Sequence, residues 1–493
     1  MRKRFHQINH FKKNPEMVQE KVFKSLIDKG SSTYFGGKYN FSEILNFSDF
    51  SKYVPLHTYE DLFPYINKLR TGKQNILWPD KIKWFAKSSG TTNDKSKYIP
   101  ISYDALYECH YKAGKDMLSL YCNNYPDTQI YNGKSLMLGG SQLYNEEYDF
   151  CDGDLSAILI NNFPFWVSMH RVPDLNTALL SDWERKLNLI VKKSIKENVT
   201  NITGVPSWIL VLLEKVLEET SAKNIIEVWP NLELYMHGGV HFGPYKSQFH
   251  QIIPSDSMNY IEGYNASEGF FAIQDQKDNK DLLLMLDYGI FYEFIALKNY
   301  NKGIAKTIML SEVLIGEIYV IVISTNSGLW RYIIGDTVRF TSKDPYRLRV
   351  VGRTKSYINA FGEELIVENA EDALSICCEQ YNCVVENFIV APMYLNSGSG
   401  FHKWIIEFKT PPKSIEMFSK ELDKTLKKLN SDYEAKRTKN LVMKELEIIV
   451  ARKNLFYSWM SKYNRLGGQY KVPRLDHSSK IFSEILDLNN TVV

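Results

Sequence analysis

At 493 residues the chain is longer than one hydrophobic core ordinarily supports, which predicts two or more domains. Sixty Lys and Arg against 57 Asp and Glu leave a net charge of +3, which excludes an electrostatic nucleic-acid footprint, and 44% hydrophobic residues exclude a mostly disordered chain. The longest apolar runs, such as IYVIVI (318–323), are strand-length, and six cysteines without a CxxC pair make neither a disulfide framework nor a zinc template. The reading is a cytoplasmic protein with reduced thiols and no membrane or nucleic-acid partner, acting as a monomer or homodimer.

The basic N-terminus MRKRFHQINHFKK reads as a solvated helix, and the first 80 residues mix helical signals with turn breakers. SSGTTNDKSKYIP (88–100) then places Ser, Thr and Gly beside lysines. Small hydroxyl residues around a glycine let backbone N–H groups approach an anion, although an ordinary polar loop has the same composition. Neither GxxxxGK[ST] nor GxGxxG fits it.

Two helices follow. LSDWERKLNLIVKKSIKE puts Leu180, Trp183, Leu187, Ile190, Val191 and Ile195 on one face, and GVPSWILVLLEKVLEE has Pro206 in a first turn. DLLLMLDYG, IFYEFIAL and IYVIVISTN read as strands that give way to turns at GLWRYIIGDTVRF. Beyond Gly352 the pattern is αββαβ: the helix VENAEDALSICCEQY with Cys377, Cys378 and Cys383 clustered on it, the strands VVENFIVAPMY and HKWIIEFKT around the turn LNSGSG, an amphipathic helix spanning Ile415 to Tyr433, and ELEIIVA. This predicts an α/β fold with a large domain over 1–352 and a small α+β domain over 353–493.

YIEGYNASEGFFAIQD (260–275) sets Tyr264, Ser267 and Glu268 in a Gly-flanked turn, and LWRYIIGDTVRF sets Arg331 and Asp336 around Gly335. With the 88–100 loop these resemble, in order and spacing, three core motifs of the adenylate-forming superfamily: a Ser/Thr/Gly phosphate loop, a Tyr-x-x-Ser-Glu segment and a Tyr-Arg-x-x-Gly-Asp segment. VGRTKSYINAFGEELIVENAEDAL resembles the hinge that follows them. SSGTTNDKSKYIPIS, GYNASEGFFAIQD, INAFGEEL and GGQYKVPRL more narrowly resemble the auxin-responsive Gretchen Hagen family of acyl-acid amido synthetases, in its bacterial form. Asn93 stands where relatives often have glycine, a substitution that bears on how tightly phosphate is held.

The resemblance implies ATP-dependent adenylation of a carboxylic acid and transfer of the acyl group to an amine, an amino acid being the expected acceptor. It assigns Ser88, Ser89, Gly90, Thr91, Thr92 and Lys97, with Lys95, to the pyrophosphate portion of ATP, and Glu268 to Mg²⁺, whose sites usually combine one or two carboxylates with phosphates. Asp336 is assigned to the ribose hydroxyls, Tyr264 and Ser267 to the nucleotide, and Gly238 and Gly239 to close passage of backbone beside it. Arg331 and Arg353 suit phosphate or ribose and equally suit structural ion pairs. The resemblance also implies that Lys471 is the adenylation lysine on a mobile C-terminal cap, with Lys355 at the hinge near 353–356. Phe165, Trp166 and His241, with Phe163, Met169, His170 and Phe242, are candidates for the acyl pocket, and core packing explains these aromatics as well.

Glu268 alone suits a helix start, and Asp336 a simple turn. A rival enzyme with the same first half-reaction makes a CoA thioester, and a rival of another class binds acyl groups or nucleotides without catalysis.

Overall fold

The computed structural model describes residues 2–88, 97–239, 242–277, 279–354, 357–358, 360–361, 363, 365–395, 400–437, 443–463, 465–466 and 471–491. Its contacts divide the chain into two units, Met1–Gly239 with Ser255–Val350, and Val240–Pro254 with Val351–Val493. The chain therefore lends one segment, containing the helix Gly243–Ile252, to the smaller unit, where Gln248 donates to the Val385 carbonyl at 3.3 Å. Among the described residues no helix is long and apolar enough to cross a membrane.

The larger unit is built on a mixed sheet of twelve strands. Lys134–Met137, Val199–Thr203, Leu234–Gly238 and Asn259–Ala266 run parallel and in that spatial order. At Asn259–Ala266 the sheet turns antiparallel, continuing through Gly269–Ile273, Leu282–Leu284, Tyr346–Arg353, Tyr332–Lys343, Ile318–Thr325 and Ile290–Ala296. GLWRYIIGDTVRF, read as turns, instead enters the twelve-residue strand Tyr332–Lys343. Its apolar residues alternate too irregularly for a period of two because a bulge interrupts the ladder.

The N-terminal helix Arg2–Lys13 is docked rather than solvated. Ile8 and Phe11 are 1% exposed, the Arg4 guanidinium bonds Asp116 and Asp287, and Lys12 lies 2.8 Å from Asp275, which also pairs with Arg347. Its basic residues thus answer buried and half-buried carboxylates far away in sequence, a use that a charge count cannot show.

In the smaller unit Val384–Tyr394, Gly400–Thr410 and Glu447–Val450 form a three-stranded sheet covered on both faces. Phe388, Val390, Trp404 and Ile406 face the helices Val367–Tyr381 and Ile415–Leu429, while Ile389, Ala391 and Ile405 face Leu455–Lys462 and Lys480–Asn490. Successive strand side chains point to opposite faces, so these runs are apolar at every position. The expected αββαβ order is present, with two changes. The helix from Ile415 breaks at Asn430, and Cys383 lies beyond its helix, after Asn382 in the left-handed region.

Glu407, 2% exposed, accepts the N–H groups of Asn454 and Phe456 at the start of the helix Leu455–Lys462. Burial, with Glu386 nearby, pushes its carboxyl up to about 7. An unfolded glutamate releases its proton near pH ~4.3, so the folded form binds more protons between the two values and stability falls as pH rises through them. Glu407→Gln is expected to leave the free energy of unfolding at pH 5 nearly unchanged and to raise it at pH 8 by on the order of 1–3 kcal/mol. Equal shifts at both pH values would assign the effect to packing.

Candidate active site

The parallel strands all end at one edge of the large sheet, where ligands bind in open α/β sheets. Leu234–Gly238 reaches that edge with Gly238 paired to Gly263, and a Cβ on Gly238 would lie 2.3 Å from the Gly263 carbonyl. Gly239 follows at φ +79°. Both positions require glycine, the first for an approach between neighbouring strands and the second for its backbone conformation.

Asn259–Ala266 reaches the same edge and returns at once as Gly269–Ile273, with Ala266 opposite Gly269. Ser267 and Glu268 are the two residues of that hairpin turn. Glu268 is therefore no helix-start carboxylate, since a strand follows it. The Tyr332 hydroxyl donates to Glu268 Oε1 at 3.4 Å, and Tyr332 is fully buried.

Asp336 lies inside a strand rather than in a simple turn. Thr337 pairs with Val320 and Ile333 with Val322, so three residues, Ile334 to Asp336, stand opposite one. Gly335 takes φ +89° within this bulge. A bulge re-aims side chains, and here the Asp336 carboxylate accepts the Tyr264 hydroxyl at 2.9 Å. Tyr264 is 7% exposed and packs 4.9 Å from Phe271. Two tyrosine–carboxylate pairs, Tyr264–Asp336 and Tyr332–Glu268, thus join the hairpin to the bulged strand. Tyr332 went unassigned in the sequence, and its place four residues before Asp336 was the available signal.

Arg331 resolves as a structural residue. It is 4% exposed, adopts φ +43°, and uses all five N–H donors on Glu293, Thr307 and the carbonyls of Ser51 and Val54. Three residues separate it from Gly335, one more than in the motif it resembles, and Trp330 precedes it.

The phosphate-loop candidates Ser89, Gly90, Thr91 and Thr92, with Asn93 and Lys95, lie outside the described residues. Their flanks are placed: Trp84–Ser88 and Lys97–Ile101 are antiparallel, with Ser88 directly opposite Lys97. The Lys97 ammonium sits 5.4 Å from the centre of the Tyr59 ring. Another lysine, Lys186, is buried and donates to the Gly139 and Gly140 carbonyls at 3.0 and 2.7 Å, just beyond the strand Lys134–Met137. Burial lowers its pKa to about 8.

The acyl-pocket candidates divide. Phe165 is 78% exposed, so core packing does not account for it, whereas Phe163 is half-buried and 5.4 Å from Tyr111. The Trp166 side chain and His241 lie outside the described residues.

In the smaller unit Arg353 ends the strand Tyr346–Arg353, and Lys355 falls outside the described residues. Within INAFGEEL the buried Glu363 accepts the N–H groups of Ala360 and Phe361 at 3.2 and 2.7 Å, and His402 Nε2 lies 2.7 Å away, which ties Glu363 to the backbone of Ala360 and Phe361. Lys471 is exposed at the start of an anchored segment. Val472 is buried beside the C-terminal helices, Arg474 bonds the Tyr245 hydroxyl at 2.8 Å, and the Asp476 N–H donates to the Val390 carbonyl at 2.8 Å.

Glu268 offers Mg²⁺ one hard oxygen donor. Among the described residues no group of three or more His, Cys, Asp or Glu could hold a metal by itself. That donor set fits an ion completed by substrate phosphates rather than a preformed protein cage.

Family models for the GH3 N-terminal, central and C-terminal domains match residues 4–258, 283–353 and 368–480. An indole-3-acetic acid-amido synthetase, GH3.4 of Arabidopsis thaliana, is 23% identical, covering 95% of this chain and 90% of its own length. A jasmonoyl–L-amino acid synthetase, JAR4 of Nicotiana attenuata, is 21% identical over 94% and 91%. The solved structure of AtGH3.15 acyl acid amido synthetase in complex with 2,4-DB superimposes with a TM-score of 0.79 at 18% identity, covering 96% of this chain and 93% of that one. With matches in chain order from residue 4 to 480, on a sheet whose hairpin turn and bulge bring two carboxylates to their tyrosines, the chain belongs to the GH3 family of acyl-acid amido synthetases, within the adenylate-forming superfamily.

Proposed function

We propose that this chain joins a carboxylic acid to the α-phosphate of ATP, releasing pyrophosphate, and transfers the acyl group to the amine of an amino acid. The observation that carries this reading is the meeting of the 264–268 hairpin with the bulge at Asp336. It supplies a carboxylate suited to ribose hydroxyls beside one suited to a hard cation.

In the first step an oxygen of the acid attacks the α-phosphorus and the bond to pyrophosphate breaks. In the second the amine nitrogen attacks the acyl carbon, AMP leaves, and the nitrogen gives up a proton. Charge moves among phosphate oxygens in both, so electrostatic stabilisation is the main requirement. The 88–92 segment with Lys97 would hold the pyrophosphate portion, Asp336 the ribose, and Tyr264, with Ser267, would orient the Asp336 carboxylate and the nucleotide beside it. Gly238 and Gly239 give backbone access, and Arg353 is assigned to the nucleotide. Mg²⁺, where bound, would neutralise phosphate charge, and Glu268 would hold it with Tyr332 fixing one carboxylate oxygen. Residues 353–493 would form a cap that pivots at Lys355 and carries Lys471 to the α-phosphate. Phe165, Trp166 and His241 remain our assignments for the acyl subsite, and cytoplasmic residence our expectation.

The test is pyrophosphate release from ATP and Mg²⁺ across a panel of carboxylic acids, with mixed amino acids or CoA, followed by mass spectrometry of the products. Acid-dependent release yielding an amide supports the proposal. A thioester would replace it with CoA ligation, and ATP binding without release under any acid would favour a non-catalytic binder.

Glu268→Gln keeps the hydrogen bond from Tyr332 but removes the charge. Its expected effect is a Mg²⁺ requirement raised by roughly tenfold, with the ATP KM at saturating Mg²⁺ changed much less. An unaltered Mg²⁺ titration would return Glu268 to a turn-forming role.

A further inference from the structure

The strand Lys134–Met137 leads into a turn, Leu138 to Ser141, whose backbone is held along its length. The Leu138 N–H donates to the Thr203 carbonyl at 3.3 Å, the Gly140 N–H to the Ser156 hydroxyl at 2.9 Å, and the Ser141 N–H to Asp154 Oδ2 at 2.9 Å. The Gly139 and Gly140 carbonyls both accept from the Lys186 ammonium. Neither glycine has room for a side chain: a Cβ on Gly139 would lie 2.6 Å from Ile160 Cδ1, and one on Gly140 would lie 1.5 Å from Asp154 Oδ2.

Lys186 is 2% exposed, and among the described residues its ammonium bonds these two carbonyls and no carboxylate. Lysines are almost never buried without an ionic partner, and a hydrocarbon side chain in its place would avoid the cost of desolvating the charge. What the ammonium supplies is a pair of hydrogen bonds to adjacent carbonyls, which sets the direction of both peptides. It reaches them from the helix Trp183–Ser194, whose start is fixed by Asp182 on the Arg185 N–H.

The turn stands on the same sheet edge as the two carboxylates. Met137, Thr203 and Met236 form one row across three neighbouring strands, so Gly139 and Gly238 both lie two residues past that row. Neighbouring strands are about 4.8 Å apart, which sets the turn roughly 10 Å from Gly238, with Gly238 between it and the 264–268 hairpin. Through Ile160 the turn also packs on the helix Leu155–Asn161, and the half-buried Phe163 and exposed Phe165 follow that helix directly. We propose, resting on the adenylation reading above, that Lys186 is a positioning residue for the carboxylic acid: by fixing the Gly139–Gly140 turn it sets the wall against which the acid's carbon skeleton lies.

Lys186→Met keeps an unbranched side chain and removes the donor. Pyrophosphate release is measured for the full-length parent and the variant with benzoate, phenylacetate, hexanoate and octanoate, first with acid varied at saturating ATP and then with ATP varied. The expected result is a KM raised about tenfold for each acid the parent uses, with the KM for ATP changed by no more than about twofold. Where Lys186→Met does not fold, Ser156→Ala decides: it removes one acceptor from the same turn and should raise the acid KM by about threefold with the same split. An unchanged acid KM, or an ATP KM that rises in step with it, overturns the proposal, because a general disturbance of the fold touches both substrates. A parent that binds ATP yet releases no pyrophosphate with any of the acids overturns the adenylation reading and the role of Lys186 with it, whereas an active parent beside an unaltered variant overturns the role of Lys186 alone.

Discussion

Lys471→Ala is expected to lower acyl-adenylate formation by about 10²–10³, the usual loss when one preorganised charge on a phosphoryl transition state is removed, with the ATP Kd changed by no more than about threefold. Anchorage of the following residues is the reason. Lys471 is exposed, but the residues after it are held by burial of Val472, by Arg474 on Asn387 and Tyr245, and by the Asp476 N–H on the Val390 carbonyl. A lysine presented from fixed backbone can deliver its charge to one place, whereas a lysine on a loose tail spreads it over many. Single-turnover adenylation, followed as pyrophosphate release, separates this from the amide-forming step. Unchanged adenylation would make Lys471 an ordinary surface lysine, and an equal fall in ATP affinity would make it a ground-state contact.

Glu293→Ala is expected to be strongly destabilising, costing about 3–5 kcal/mol because it strands a buried guanidinium. Glu293 is fully buried and takes both Nε and Nη2 of Arg331 at 2.8–3.1 Å. Arg331 in turn ties the strand Tyr332–Lys343 to the Ser51 and Val54 carbonyls, near the end of the helix Phe47–Tyr53. Denaturant unfolding measures the loss. The double variant Glu293→Leu with Arg331→Met should recover much of it, because removing both charges leaves no unpaired ion. A Glu293→Ala protein as stable as the parent would show that the pair is solvated after all.

Much of the smaller unit was legible. Runs such as FIVA and WII are apolar at each position because both faces of a three-stranded sheet are covered, and the amphipathic spacing after Ile415 marks a helix on one face. The motifs around Tyr264, Ser267, Glu268 and Asp336 also stood out, since glycine-flanked polar residues between apolar runs have few purely structural explanations. What the spacing did not reveal was the geometry. Glu268 proved to sit in a two-residue hairpin and Asp336 in a bulge, because both depend on how two strands pair, and pairing partners are not neighbours in the chain. The docked N-terminal helix escaped for the same reason, its partners Asp116, Asp275 and Asp287 lying more than a hundred residues away.

The amino-acid sequence by itself determined that this is a large α/β chain with a separate C-terminal α+β segment, and it carried the ordered motifs of its family, because composition, periodicity and local spacing are properties of neighbouring residues. The tertiary structure alone decided which charged residues are taken up by the fold and which meet where the hairpin joins the bulge. Arg331 and Asp336 lie five residues apart, yet Glu293 and two helix-end carbonyls consume the first while a bulge turns the second toward Tyr264. That division depends on burial and on partners brought together from distant parts of the chain, and folding is what brings them together.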